Sequence, residues 1–189
     1  MPPGAESVAA HSFGVALAAM LLADEAAARG VELDAGRVLR IALLHDLAEA
    51  RTGDMPRTVA DYYGKDVRKR AERAAFDDIV RGLNGVHAAR YAELHEDYEE
   101  RASLEARLVK AADIVDLLAQ ALMFERAGAR GLDEFWEGAT ERDFGLEGAS
   151  REVVAETIAA LVRARGEMKK RSAVSGQRSA GISNLESEI

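Results

Sequence analysis

The 189-residue sequence contains no cysteine, which removes disulfides and thiolate ligands together, so any metal in this protein is held by nitrogen and oxygen. Proline is nearly absent: it occurs only at positions 2, 3 and 56, leaving long stretches with nothing to interrupt a helix. Aromatic residues make up 5% of the chain, and short β-branched runs bounded by turns are scarce, which argues against strands. Positive charge is in deficit. The 25 Lys and Arg face 33 Asp and Glu, a formal net charge of −8, without the basic face that a stable grip on nucleic acid needs. No uninterrupted apolar run reaches the roughly 20 residues that span a bilayer, and the start MPPGAESVAAHS lacks a basic flank followed by an apolar signal core. These absences predict a cytoplasmic protein with no membrane association and no stable nucleic-acid partner.

What is present is Ala, Leu, Glu and Arg in helical periods, with 48% of residues hydrophobic, enough for one sizeable core. The expected fold is all-α, a bundle of about six main helices in a single domain over residues 1–170. The first helix is predicted from about Glu6 to Arg29, stopped by Gly30, with Val8, Phe13, Leu17, Met20 and Leu21 as its apolar contacts. Asp34 caps a second from Ala35 to about Ala50. Further helices are expected near 65–83, 88–98 (after a loop at NGVH), 104–126 and 151–168. Leu108, Ala112, Val115, Leu118 and Leu122 form the core stripe of the 104–126 helix. From Arg171 the Ser- and Gly-rich remainder has few large apolar groups to offset the entropy of ordering, so a disordered tail is expected over 171–189.

The stretch LLHDLAEARTGDMP, Leu43 to Pro56, runs apolar residues into four polar ones: His45, Asp46, Glu49 and Asp54. On a continuous helix Val38, Ala42, His45 and Glu49 share a stripe, with Asp46 about 100° away. A buried imidazole beside a buried carboxylate needs partners, and a divalent cation satisfies both. His11 shares a face with Val15, Ala18 and Leu22. Asp113 shares one with Val109 and Leu117, and Asp116 follows three residues later; spacing does not choose between them. Two imidazoles and two carboxylates suit Mn, Co, Fe, Mg or Zn as the divalent ion. The plainer reading of the same residues is two hydrogen-bonded core histidines and Asp residues paired with Arg or Lys. Lys65, Arg68, Lys69 and Arg73 read as a solvated helix face, and Lys110 as the partner of a nearby carboxylate.

The order ESVAAHS, then ALLHDLAEARTGDMP, then LEARLVKAADIVDLLAQALMFE, with the acidic, aromatic ELHEDYEE ahead of the last block, resembles the HD-domain metal phosphohydrolases, and closely their 5′-deoxynucleotidase branch. The resemblance extends from about Glu6 to Phe144. It implies His11, His45, Asp46 and Asp113 as ligands of one divalent metal ion, with Asp116 excluded, and Glu49 and Asp54 as catalytic acids. His95 stands where the family often has an aromatic residue. The family begins earlier, with a helix ending in a substrate-contacting Arg and Trp, so the reading frame of this chain is expected to begin upstream.

The activity implied is hydrolysis of deoxyribonucleoside 5′-monophosphates to deoxynucleoside and phosphate by a homodimer, the nucleotide being its small-molecule partner. Two alternatives keep the same scaffold. One hydrolyses nucleoside triphosphates, cyclic nucleotides or guanosine pyrophosphates; the other binds nucleotide or metal without turnover.

Overall fold

The computed structural model describes residues 7–53 and 62–186, with side chains described except for Lys65 and residues 172–186. The described residues contain helices and no strand, as the scarcity of β-branched alternation predicts. In chain order the helices are α1 (Val8–Ala28), α2 (Ala35–Leu44), α3 (Glu49–Thr52), α4 (Lys65–Val80), α5 (Gly85–Glu100), α6 (Leu104–Arg126), α7 (Asp133–Trp136) and α8 (Gly148–Glu186). Six are ten residues or longer; α3 and α7 are single turns. Among the described residues the chain groups into two compact units, one of residues up to 116 with 143–153, the other of 117–142 with those from 154 onward.

In the first unit α1 packs on α2, α2 on α5, α3 on α4, and α4 on α5. The ends of these helices are set by local chemistry. Ser7 caps α1 through its side chain, which accepts from the Ala10 N–H at 3.1 Å. Asp34 caps α2 in the same way through the Arg37 N–H at 2.9 Å. Asn84 accepts from the Val86 N–H, so α5 begins at Gly85, and NGVH is a helix start rather than a loop. Arg101 ends α5 in the left-handed region at φ 53°, donating its N–H to the Tyr98 carbonyl.

The buried side of α1 differs from the one expected. Val15, Ala16, Ala19, Leu22, Ala23 and Ala26 face inward, while Phe13, Leu17, Met20 and Leu21 are exposed. The inward face mixes Val15 and Leu22 with four alanines. By length and composition α1 is apolar enough to cross a bilayer, although His11, Ser12, Asp24 and Glu25 interrupt its apolar run. Six of its 21 residues are buried.

Asp97 on α5 ties three elements together. It accepts from Arg37 of α2 at 2.7 Å, and from both the backbone N–H and the hydroxyl of Ser103, just ahead of α6, at 2.9 and 2.7 Å. Burial opposes its ionisation, but Ser103 and Arg37 outweigh it and hold the carboxyl below its usual range.

In the second unit Leu118, Ala121, Leu122, Trp136, Ala139 and Ile158 are buried. Arg165 is bidentate on Glu125 and lies 4.8 Å from the Trp136 ring centre. Helix α8 continues to Glu186, through most of the segment whose composition suggests disorder.

Candidate metal centre

The second helix does not run on to Ala50. It stops at Leu44, and residues 45–48 form a tightened turn with backbone bonds from Leu47 N to Leu44 O and from Glu49 N to Asp46 O, both i to i−3. Three-residue periodicity then replaces the α-helical one, bringing Glu49 into register with Asp46 instead of His45. The turn is anchored by Ala48, which joins Phe76 and Val80 of α4 in a buried cluster. Tertiary packing sets this break; no Gly or Pro marks it in the sequence.

His45 is inaccessible on its side chain. Its Nδ1 lies 2.8 Å from the Ala42 carbonyl, an acceptor only, so Nδ1 carries the proton and donates. In the neutral ring Nε2 is therefore a bare lone pair. It has no hydrogen-bond partner, although Asp46 Oδ2 is 3.1 Å away without hydrogen-bond alignment. A lone pair facing a carboxylate oxygen is repulsive unless a proton or a metal cation stands between them.

His11 repeats the pattern from α1. Its Nδ1 donates to Asp116 Oδ2 at 2.8 Å, and its Nε2 faces Asp46 Oδ2 and Asp113 Oδ1, each at 3.3 Å. Donor atoms of His11, His45 and Asp46 all lie within 4.8 Å of one another. Ligand atoms bonded at ~2.1 Å and at right angles on one ion stand ~3 Å apart, so these separations and the orphaned Nε2 fit a divalent cation. His11, His45 and Asp46 are suited to hold it. Asp113 approaches from α6 with its other oxygen occupied, Oδ2 accepting from Lys110 at 2.6 Å and from the Tyr98 hydroxyl at 3.2 Å.

The electrostatics follow from this crowding. Asp113, Asp116 and Asp46, in that order, push the His11 imidazole up to about 12 against the effect of burial. Burial disfavours the charged forms of Asp46 and Asp113, but His11 and His45 beside the first, and His11 and Lys110 beside the second, hold both carboxyls well below the usual range. A cation held by His11 would displace its proton. Affinity for Mn²⁺ is therefore expected to rise between about pH 7 and about pH 9, as a calorimetric titration at several pH values measures. A flat profile would show that no proton leaves His11.

A cavity of about 380 Å³ opens beside these residues, lined by His45, Asp46 and Glu49 and by the cationic Arg68, Lys69 and Lys110. Glu49, which starts α3, is half-buried. Arg68 is steered by Glu72, its Nε donating at 2.6 Å. His95 lines the same cavity, stacked on Phe76 at 4.1 Å between ring centres; burial, aided by Arg73, lowers its proton affinity. Glu99, another wall residue, is shifted up by burial and by Glu72.

The structure thus brings together His11, His45, Asp46 and Asp113, with Glu49 on the adjoining cavity wall. Asp54 lies outside the described residues. Sequence reasoning left Arg68 and Lys69 on a solvated face, although the Arg68–Glu72 spacing of four was visible in it. It also missed Tyr98, which sits in the ELHEDYEE block.

With this geometry the class of protein is defined: the sequence model of the HD domain matches residues 2–143, and the chain belongs to that family. HD domains imply a divalent metal, and the His-His-Asp group is a place for one. Among relatives, the chain is 34% identical over 125 residues to the 5′-deoxynucleotidase HDDC2 of Xenopus laevis, a match covering 66% of this chain and 58% of that protein. It is 31% identical over 137 residues to the 5′-deoxynucleotidase YBR242W of Saccharomyces cerevisiae, covering 69% and 54%. The chain thus spans little more than half the length of these curated relatives. Among solved structures, a conserved hypothetical protein of Pyrococcus furiosus superposes with a TM-score of 0.72 at 38% identity, covering 85% of this chain and 86% of that one. A predicted metal-dependent phosphohydrolase of Magnetospirillum magnetotacticum does so at 0.60 and 25%, covering 86% and 78%.

Proposed function

We propose that this chain is a 5′-deoxynucleotidase, hydrolysing deoxyribonucleoside 5′-monophosphates to deoxynucleoside and phosphate. The observation that carries the reading is the meeting of two environments. Nitrogen and carboxylate donors converge around His11 and Asp46, and beside them lies a cavity with Arg68, Lys69 and Lys110 in its wall. The names of the curated relatives supply the substrate class.

A divalent cation bound by His11, His45, Asp46 and Asp113 would lower the pKa of a coordinated water and offset charge on the phosphoryl oxygens. Everything else falls to the chain's own groups. Arg68, Lys69 and Lys110 offer charge-assisted donors to phosphate. Lys110, held by Asp113 and Tyr98 at 2.6 and 3.3 Å, is fixed in place before substrate arrives. Glu49 takes a proton from water or returns one to the sugar oxygen as it leaves. Asp54, assigned by resemblance, orients the water or that departing oxygen.

The same reading makes the protein a cytoplasmic homodimer. The cysteine-free composition suits the first, and the exposed Phe13, Leu17 and Leu21 offer a second copy an apolar face. The native metal belongs to the set Mn, Co, Fe, Mg and Zn.

A panel of deoxyribo- and ribonucleoside mono- and triphosphates, assayed with each of these metals and resolved by product, tests the activity. Inorganic phosphate as the sole phosphorus product from deoxynucleoside monophosphates is expected. Turnover confined to triphosphates or cyclic nucleotides would place the chain with other HD hydrolases. No turnover of any nucleotide by a metal-loaded chain would leave a binding scaffold.

A further inference from the structure

Gly14 lies in the interior of α1, three residues beyond His11, and its backbone is not in the left-handed region that favours glycine. In a helix interior glycine is a poor choice, since Ala there holds the helix better. The reason for it is the neighbour from α6. A methyl group built on Gly14 would stand 2.1 Å from Asp116 Oδ1 and 2.8 Å from its Cγ, both far inside contact distance.

Asp116 is 7% exposed, and its Oδ2 is the acceptor for His11 Nδ1–H at 2.8 Å. That bond fixes the ring so that Nε2 looks toward Asp46 and Asp113, at 3.3 Å from each. We propose that Gly14 is a positioning residue for the metal centre, its missing side chain being the space through which Asp116 orients His11. The carboxylate is the mobile end of a short side chain. A methyl at position 14 therefore displaces Asp116 from His11 while α1 itself persists. The inference rests on the reading of His11 as a metal ligand.

The test uses the full chain stripped of metal and titrated with Co²⁺, whose visible absorption reports ligand geometry. Gly14→Ala is expected to weaken Co²⁺ binding by about 10- to 100-fold and to shift the Co²⁺ band. Its helical circular dichroism without metal should match wild type, showing that α1 persists. Asp116→Ala should weaken binding by a similar factor and shift the band alike. The double variant should be no weaker than Asp116→Ala alone, because the three atoms nearest the methyl all belong to the Asp116 carboxylate. Wild-type affinity in Gly14→Ala, or losses that multiply in the double variant, would overturn the proposal. If Gly14→Ala does not fold, Asp116→Ala decides alone, and wild-type Co²⁺ affinity there overturns it as well. His11→Ala separates the underlying reading: if it leaves Co²⁺ affinity unchanged, His11 is no ligand, whatever Gly14 does.

Discussion

Asp46→Ala is expected to abolish stoichiometric metal binding. Asp46 Oδ2 is the group common to both imidazoles, 3.3 Å from His11 Nε2 and 3.1 Å from His45 Nε2. Removing it leaves the two imidazole Nε2 atoms with no shared anion between them, and the loss is not confined to one coordination bond. The side chain is about one-fifth exposed, so truncation opens no sealed core cavity and the fold should persist. His45→Ala should lose the metal too. It also strips the Ala42 carbonyl of its donor inside the protein, so it should destabilise the chain by about 1–3 kcal/mol. Elemental analysis after dialysis, paired with a denaturant midpoint, reads both effects. Wild-type metal content in Asp46→Ala would remove this residue from the centre.

The second large effect belongs to Glu49. Its replacement by Ala is expected to reduce kcat by about 10²- to 10⁴-fold with metal content unchanged. Glu49 lies on the cavity wall, and its place there is set by the three-residue turn that also carries Asp46. Glu49→Gln separates proton transfer from shape, since it keeps length and hydrogen bonding but cannot accept the proton. If Glu49→Gln turns over at the wild-type rate, Glu49 is not the general acid/base. An equal loss in both variants points to its ionisation.

How much of this was legible beforehand varies with what each residue depends on. Helix α6, expected over about Leu104 to Arg126 from its long apolar stripe and the glycines beyond it, runs over those residues. The break after Leu44 was not legible. Residues 45–48 have helical propensity, and the Ala48–Phe76–Val80 cluster that stops the helix joins residues distant in sequence. Likewise α1 carries Phe13, Leu17, Met20 and Leu21 on one side and Val15, Leu22 and four alanines on the other, and side-chain size points to the side that is exposed. Spacing left Asp113 and Asp116 equivalent. Only three-dimensional placement gives them different neighbours, one facing His11 Nε2 and the other His11 Nδ1.

The tie between His11 and Asp116 joins residues 105 apart in the chain, and that separation fixes when the centre comes into being. During synthesis, α1 and the His45–Asp46 turn emerge long before α6. A nascent chain ending before Asp113 therefore holds at most three of the four donors, and without Asp116 to orient His11. Such long-range closure comes late in folding, after the local helices have formed. Metal capture is then an act of the finished protein. Refolding in chelator followed by metal addition should therefore recover the same holoprotein as refolding with metal present throughout.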